Sequence, residues 1–279
     1  MNTNVVHSEV RSIGGADVHI EGQGPVLIML HGWPDSHRLW DGVVPALSDA
    51  YRCVRFDLPG YDLSRPPKAT SVKDITALIA QVAEELSPGE KVSLLVHDWG
   101  CFYGYEFAAK HSDKVARVVG VDIGDASSKA FLASLSLTQK MGLVGYQLWL
   151  AIAWKLGGLL PGLANAMTRG TARWARWYGK PEQLGWQMNY PYAVVWFGVA
   201  GGVKGMTRAE KVLGHKMPML YLYGQRKPFL FHSPEWIESL QKLPGCGAKG
   251  FATGHWIMMQ ARDEFNATVR QWLDHGTVA

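Results

Sequence analysis

Val96-His97-Asp98-Trp99-Gly100 is the stretch on which the reading of this chain turns. The apolar run Val92 to Val96 predicts a buried strand, and Gly100 to Lys110 predicts a helix. Only a sharp turn is left between them. A strand-turn-helix junction of this kind holds its middle residue exposed at the end of the sheet, the geometry of a nucleophile elbow. Glycine two residues after that position lets the helix pack close. The middle residue is Asp98 where serine is usual. An aspartate there is also a good helix cap. The elbow reading therefore depends on the rest of the chain.

On either side, short apolar runs alternate with helical patterns, the signal for an α/β fold with a mostly parallel central sheet flanked by helices. Val26 to Leu30 predicts a strand ending at His31-Gly32, and Arg52 to Phe56 a strand ending at Asp57-Leu58-Pro59-Gly60. Val72 to Leu86 has helical spacing, with Ile75, Leu78, Ile79, Val82 and Leu86 on one stripe. Val115 to Ile123, Met219 to Tyr223 and Ala248 to Phe251 predict further strands, and Phe265 to Leu273 a closing helix. In an open parallel sheet, ligands bind beyond the carboxyl ends of the strands. The polar residues gathered there are His31, Asp57, Asp98, Asp122 and His255. Asp57 reads as a turn-forming carboxylate and His31 as a residue holding its loop by hydrogen bonds.

The 279 residues are 47% hydrophobic and 19% charged, enough for a sizeable core and against disorder. The net charge of +4 is scattered, with no basic run to suggest a nucleic-acid groove. Cys53, Cys101 and Cys246 are an odd, widely spaced set, against a disulfide framework or a cysteine zinc cluster. The polar start, Met1 to Arg11, lacks the pattern of a secretory signal, so a cytoplasmic location is expected. Met141 to Trp154 is the longest uncharged apolar segment. A bilayer span needs about 20 residues, so no transmembrane segment is expected, and a shallow membrane contact stays open. Gly124 to His215 carries six of the twelve tryptophans and reads as a helical insertion whose aromatics face a cavity at the strand ends.

With these motifs placed, the chain resembles the α/β-hydrolase fold superfamily. It is most similar to the aspartate-nucleophile branch, which contains epoxide hydrolases, haloalkane dehalogenases and fluoroacetate dehalogenases. His31-Gly32-Trp33-Pro34 matches the H-G-x-P loop of epoxide hydrolases. His97-Asp98-Trp99-Gly100 matches the elbow of epoxide hydrolases and haloalkane dehalogenases, and Phe56-Asp57-Leu58-Pro59-Gly60 resembles a loop both carry. The resemblance implies a core of residues 1–124 and 216–279, with a helical cap of residues 125–215 inserted after strand 6.

It also implies a catalytic Asp98, His255 as base, and an oxyanion hole from the backbone amides of Trp33 and Trp99. The chain order nucleophile, acid, base supports His255. Most epoxide hydrolases place the triad acid after the strand that follows the cap, where this chain has Lys227 in Gly224-Gln225-Arg226-Lys227-Pro228. The dehalogenases place it after the strand before the cap. Asp122, 24 residues after Asp98, is the acid expected here, ahead of Asp125 because it lies nearer the strand end. Asp98 would form an alkyl ester that water activated by His255 hydrolyses. Tyr146, Tyr190 and Tyr192 are the candidate cap acids, with Trp149 and Trp196 as substrate contacts. Where a second Trp-Tyr-Arg acid occurs in the family, this chain has Trp196-Phe197-Gly198.

The expected substrate is a small apolar or aromatic epoxide, with water as the second reactant. Haloalkane dehalogenation is the alternative, and a catalytically altered binding protein of the same fold is the second alternative. The dehalogenases usually carry Asn where this chain has Trp33. The fluoroacetate enzymes carry arginines after the nucleophile, where Trp99, Cys101 and Phe102 stand here. No cofactor, metal or nucleic acid is expected, and the chain is read as a monomer or homodimer.

Overall fold

The computed structural model describes residues 8–207 and 213–277. Eight strands form one sheet: β1 (Ser8–Ile13), β2 (Ala16–Glu21), β3 (Val26–Leu30), β4 (Arg52–Arg55), β5 (Val92–His97), β6 (Val115–Val121), β7 (Met219–Gly224) and β8 (Gly247–Phe251). Their order is β1-β2-β4-β3-β5-β6-β7-β8. From β4 through β8 every pairing is parallel, while β1 and β2 join antiparallel at one edge. β3, β4, β5, β6 and β7 match the sequence reading to within two residues. β1 and β2 have no counterpart in it. Ser8–Ile13 is largely exposed and lacks the apolar alternation by which a strand shows itself.

Both faces of the parallel region are buried, which is why its strands read as continuous apolar runs. Ile28, Leu94, Val96 and Val118 pack on one face, and Leu27, Met29, Leu95 and Val119 on the other. Helices α1 (Val44–Leu47), α2 (Val72–Leu86) and α3 (Trp99–Lys110) follow the early strands. The predicted stripe of α2 is buried, and the Ser71 hydroxyl caps its start by accepting from the Asp74 amide at 3.0 Å.

Between β6 and β7 the chain forms α4 (Lys129–Ser134), α5 (Leu137–Gly157), α6 (Pro161–Trp174) and α7 (Tyr190–Phe197). α5 starts on a capping box of Ser136 and Gln139 and packs on α6 and α7. The excursion leaves the sheet unbroken, since Val118 of β6 pairs directly with Met219 of β7. The later helices are α8 (Pro234–Gln241), α9 (Ile257–Gln260) and α10 (Arg262–His275).

Buried polar contacts tie the insertion back, among them those of Asp35 and Asn189. Trp177 Nε1 and Tyr178 Oη both donate to Asp35 Oδ1 at 2.9 Å, and Trp256 Nε1 donates to Asp35 Oδ2 at 2.9 Å. Trp33 Nε1 donates to Asn189 Oδ1 at 2.8 Å, and Asn189 Nδ2 donates to Thr168 at 2.7 Å. A buried acceptor left without donors costs about 1–3 kcal/mol, so each contact fixes the insertion against the core.

Candidate active site

Asp98 sits between β5 and α3 with φ 52° and ψ −121°, a backbone that non-glycine residues rarely adopt. Strain of this kind persists where surrounding structure over-determines it, and it clusters at functional sites. Two glycines are needed to hold the turn. A Cβ on Gly32 would lie 2.4 Å from Asp98 Oδ1, and one on Gly100 would lie 2.5 Å from the Leu30 carbonyl. The Asp98 side chain makes no capping hydrogen bond to its helix. Instead its Oδ1 accepts from the Trp33 amide at 2.6 Å. The carboxylate is therefore not used as a cap.

The Gly-His turn after β8 brings His255 to the same place. Its Nε2 lies 3.5 Å from Asp98 Oδ2, and its Nδ1 pairs with Asp122 Oδ2. Asp122 directly follows β6, with φ 70°, and is fully buried. Its Oδ1 accepts from the Gly224 amide at 2.9 Å and lies 2.5 Å from Lys227 Nζ. Asp125 is engaged elsewhere, accepting from the Ser233 amide and hydroxyl at 2.7 Å each and from Ser128. Of the two candidate acids, Asp122 is the one beside His255.

These contacts order the charges. Burial pushes Asp122 up, but Lys227 and then His255 outweigh it, and its carboxyl stays below the usual range. Burial likewise opposes ionisation of Asp98. The hydrogen bond and charge of His255 reverse that, and the Trp99 amide adds to the lowering. For His255, burial favours the neutral ring, yet Asp122 and Asp98 together raise it to about 9. His97, with its ring centroid 4.5 Å from that of His255, is pushed down to about 3, by burial first, and is neutral.

A cavity of about 660 Å³ opens on Asp98 and His255 and is walled by Trp33, Tyr146, Trp174, Tyr192 and Phe231 among others. A smaller space of about 240 Å³ meets it at Asp98, Tyr146 and Tyr192, with Trp99 and Phe102 in its wall. Tyr146 and Tyr192 thus line both, their ring centroids 6.0 Å apart, and Tyr192 sits edge-on to Trp33 and Trp99. Burial raises both phenols, so they keep their protons. The other three cap residues singled out from sequence lie elsewhere. Tyr190 is fully buried against Tyr61 and Gly60, Trp149 is half exposed, and Trp196 donates to Gln147 at 3.1 Å without lining either space.

His31 has the loop-holding part expected: the Leu58 amide donates to its Nε2 at 2.9 Å, and its Nδ1 bonds the Gly32 carbonyl at 3.0 Å. Asp57 accepts from the amide and ring of His37, at 2.6 and 2.8 Å, rather than closing its own turn. Asp35, Asn189 and the ion pair of Lys227 were not foreseen. Asp35 could have been suspected from its place after the strand-end Trp33-Pro34. Among the described residues no group of three or more His, Cys, Asp or Glu side chains is placed to hold a metal ion.

Comparison with known proteins agrees with the fold. A family model described as alpha/beta hydrolase fold matches residues 25–189. Epoxide hydrolase B of Mycobacterium tuberculosis is 36% identical over 112 residues, covering 39% of this chain and 31% of that protein. The soluble epoxide hydrolase of a Corynebacterium strain is 32% identical over 130 residues, covering 44% and 43%. The M. tuberculosis protein named Probable oxidoreductase EphD is 43% identical over 115 residues, 37% of this chain but 19% of its own length. The chain thus spans under half the length of these curated relatives. Among solved structures, a product-bound mutant of a Bacillus megaterium epoxide hydrolase superposes with a TM-score of 0.70 at 19% identity, covering 95% of this chain and 100% of that one. A loop variant of a Bradyrhizobium elkanii haloalkane dehalogenase superposes at 0.68 and 17% identity, covering 97% of each. At such identities the superpositions speak for the fold. The family model takes in more than half of the sequence, including β3 to β6 and the elbow, and on that ground the chain belongs to the alpha/beta hydrolase fold family.

Proposed function

We propose that this protein is an epoxide hydrolase that works through an alkyl ester on Asp98. One observation carries the reading: the Asp98 carboxylate caps nothing, is held by the Trp33 amide, and faces a His255 already paired with Asp122. An ionised Asp98 oxygen attacks an epoxide carbon in line. The carbon–oxygen bond breaks, and the oxygen leaving carbon takes a proton from the Tyr146 or Tyr192 phenol. The epoxide is thereby opened to a hydroxyalkyl ester. Esterification removes the negative charge of Asp98, one of the two supports that hold His255 protonated. The imidazolium then gives up its proton more readily, by way of solvent to the phenolate left by ring opening, and the neutral imidazole can take a proton from water. That water adds to Cγ of Asp98, with the oxyanion held by the Trp33 and Trp99 amides. Collapse releases the diol and restores the carboxylate. Residues 125–215 act as the cap over this site, and the aromatic walls suit an apolar or aromatic substrate.

Dehalogenation is the second reading. The acid after β6, where the resembling dehalogenases carry it, favours that chemistry. Parallel assays with a styrene-oxide-type epoxide and short haloalkanes, measuring diol and halide, separate the two. Diol without halide is expected. Halide without diol overturns the epoxide reading in favour of the alternative, and neither product, with no mass gained by a His255→Gln variant, leaves a binding protein.

Lys227 has a positioning role in this scheme. Around its ammonium lie Asp122 at 2.5 Å, the Phe231 ring at 5.1 Å, and His232, which burial and Lys227 hold at about 4. Around His255 lie Asp122, Asp98 and the neutral His97. Lys227 therefore offsets part of the negative charge that Asp122 presents to the imidazole. In Lys227→Met the full charge of Asp122 would stabilise imidazolium, and neutral His255 would appear only at higher pH. The acidic limb of the ester-hydrolysis rate is expected to move up by about one pH unit, and Lys227→Arg is expected to restore it. Lower thermal stability in Lys227→Met with an unmoved limb would show a structural part only.

A further inference from the structure

Fourteen large apolar side chains are exposed among the described residues, and all but Val10 lie between Leu132 and Val203. On α5 they form a stripe of Leu137, Met141, Val144 and Ile152, at helical spacing on one side. The stripe runs into the α5–α6 corner, where Leu159 is 83% exposed, and on to Leu163 in the first turn of α6. Single exposed apolar residues are ordinary, but a continuous set on one face marks an interaction surface.

The charge of the same segment says what would cover it. Residues 126–205 hold eight Lys and Arg against one acid, Glu182, a net +7. The whole chain is +4, so the remainder carries −3. Lys155 lies within the exposed face of α5, 5.7 Å above the ring of the exposed Phe197. A two-fold contact with a second copy would set this positive face against itself. A layer of anionic headgroups over acyl chains complements both its charge and its apolar stripe. No described helix is long and apolar enough to cross a membrane, so the fitting geometry is contact from one side. Trp149 and Trp174, 50% and 65% exposed, are of the type enriched at bilayer interfaces.

We propose that the outer face of α5 and α6 docks this protein on the surface of an anionic lipid bilayer. Trp174 belongs both to that face and to the wall of the 660 Å³ cavity. Docking thus sets the cavity wall beside the acyl region, and an apolar molecule dissolved in the bilayer reaches the cavity with little exposure to water. The surface does not depend on the catalytic reading, and its test uses no turnover.

The full chain is mixed at low salt with vesicles of phosphatidylglycerol and phosphatidylcholine, and separately with phosphatidylcholine alone. Binding is read by co-sedimentation and by the shift of tryptophan emission. Binding to the anionic vesicles is expected to be at least tenfold tighter, and to weaken as salt rises to about 0.5 M. The double substitution Met141→Asp, Leu159→Asp is expected to weaken it at least tenfold with unfolding temperature unchanged, and Lys155→Glu to weaken it as well. Equal affinity for both vesicles, or none for either, would overturn the proposal. So would wild-type binding by the substituted chains, or a stable dimer in sedimentation velocity that Leu159→Asp dissociates, which would make a second copy the occupant.

Discussion

Asp98→Asn is expected to lower turnover by about 10⁴-fold or more, the scale seen when an enzyme loses its nucleophile, while the fold is retained. The amide keeps an oxygen for the Trp33 N–H, so the elbow loses its charge but not its anchoring bond. Turnover is measured as diol formed, and folding by thermal unfolding. The native chain gives a sharper test in a single turnover in heavy-oxygen water. The ester route passes an Asp98 oxygen to the product and leaves the solvent isotope in the side chain. Label found only in the diol would mean that water attacks the substrate directly, and the covalent scheme would fail.

His255→Gln is the second large effect. With no base to activate water, the ester should form and persist, seen as a peptide containing Asp98 heavier by the mass of the intact epoxide. Steady-state turnover should fall by about 10³-fold or more, with attack on the epoxide still observable in the first turnover. The substitution is well placed to leave the fold intact. Asp122 keeps the Gly224 amide and Lys227, so removing the imidazole does not strand a buried carboxylate. Turnover near the native rate, with no heavier peptide, would remove His255 from the mechanism.

Much of the architecture can be read from apolar periodicity, because a strand buried on both faces and a one-sided helix leave unlike marks. β3 and α2 have the limits expected of them. The antiparallel edge leaves little mark, since Ser8–Ile13 is held by its pairing with β2 rather than by burial of its side chains. Within the site, Asp98, His255 and Asp122 could be picked out because each ends or follows a strand. The cap was harder. Tyr190 and Tyr192 both looked available, yet two residues on a helix are about 200° apart, so α7 turns one into the core and the other toward Asp98. Trp149 and Trp196 were expected to face the cavity by composition alone, and composition carries no direction. Lys227 showed in the sequence as a departure from the family pattern. Its partner lies just past the end of the adjoining strand, 105 residues earlier, a distance that no local motif spans.

Asp35 is one of two buried carboxylates that pin the insertion to the core. Its three donors fasten the returning limb at Trp177 and Tyr178 to the core beside Trp256. The opposite limb, around α4, is pinned as well: the buried Asp125 accepts from the Ser233 amide and hydroxyl at the start of α8, and Gln139 donates to the Pro228 carbonyl at 3.0 Å. Any breathing that admits a molecule should therefore leave both limbs still and flex between them like a bridge deck between piers, widest at the exposed α5–α6 corner around Leu159.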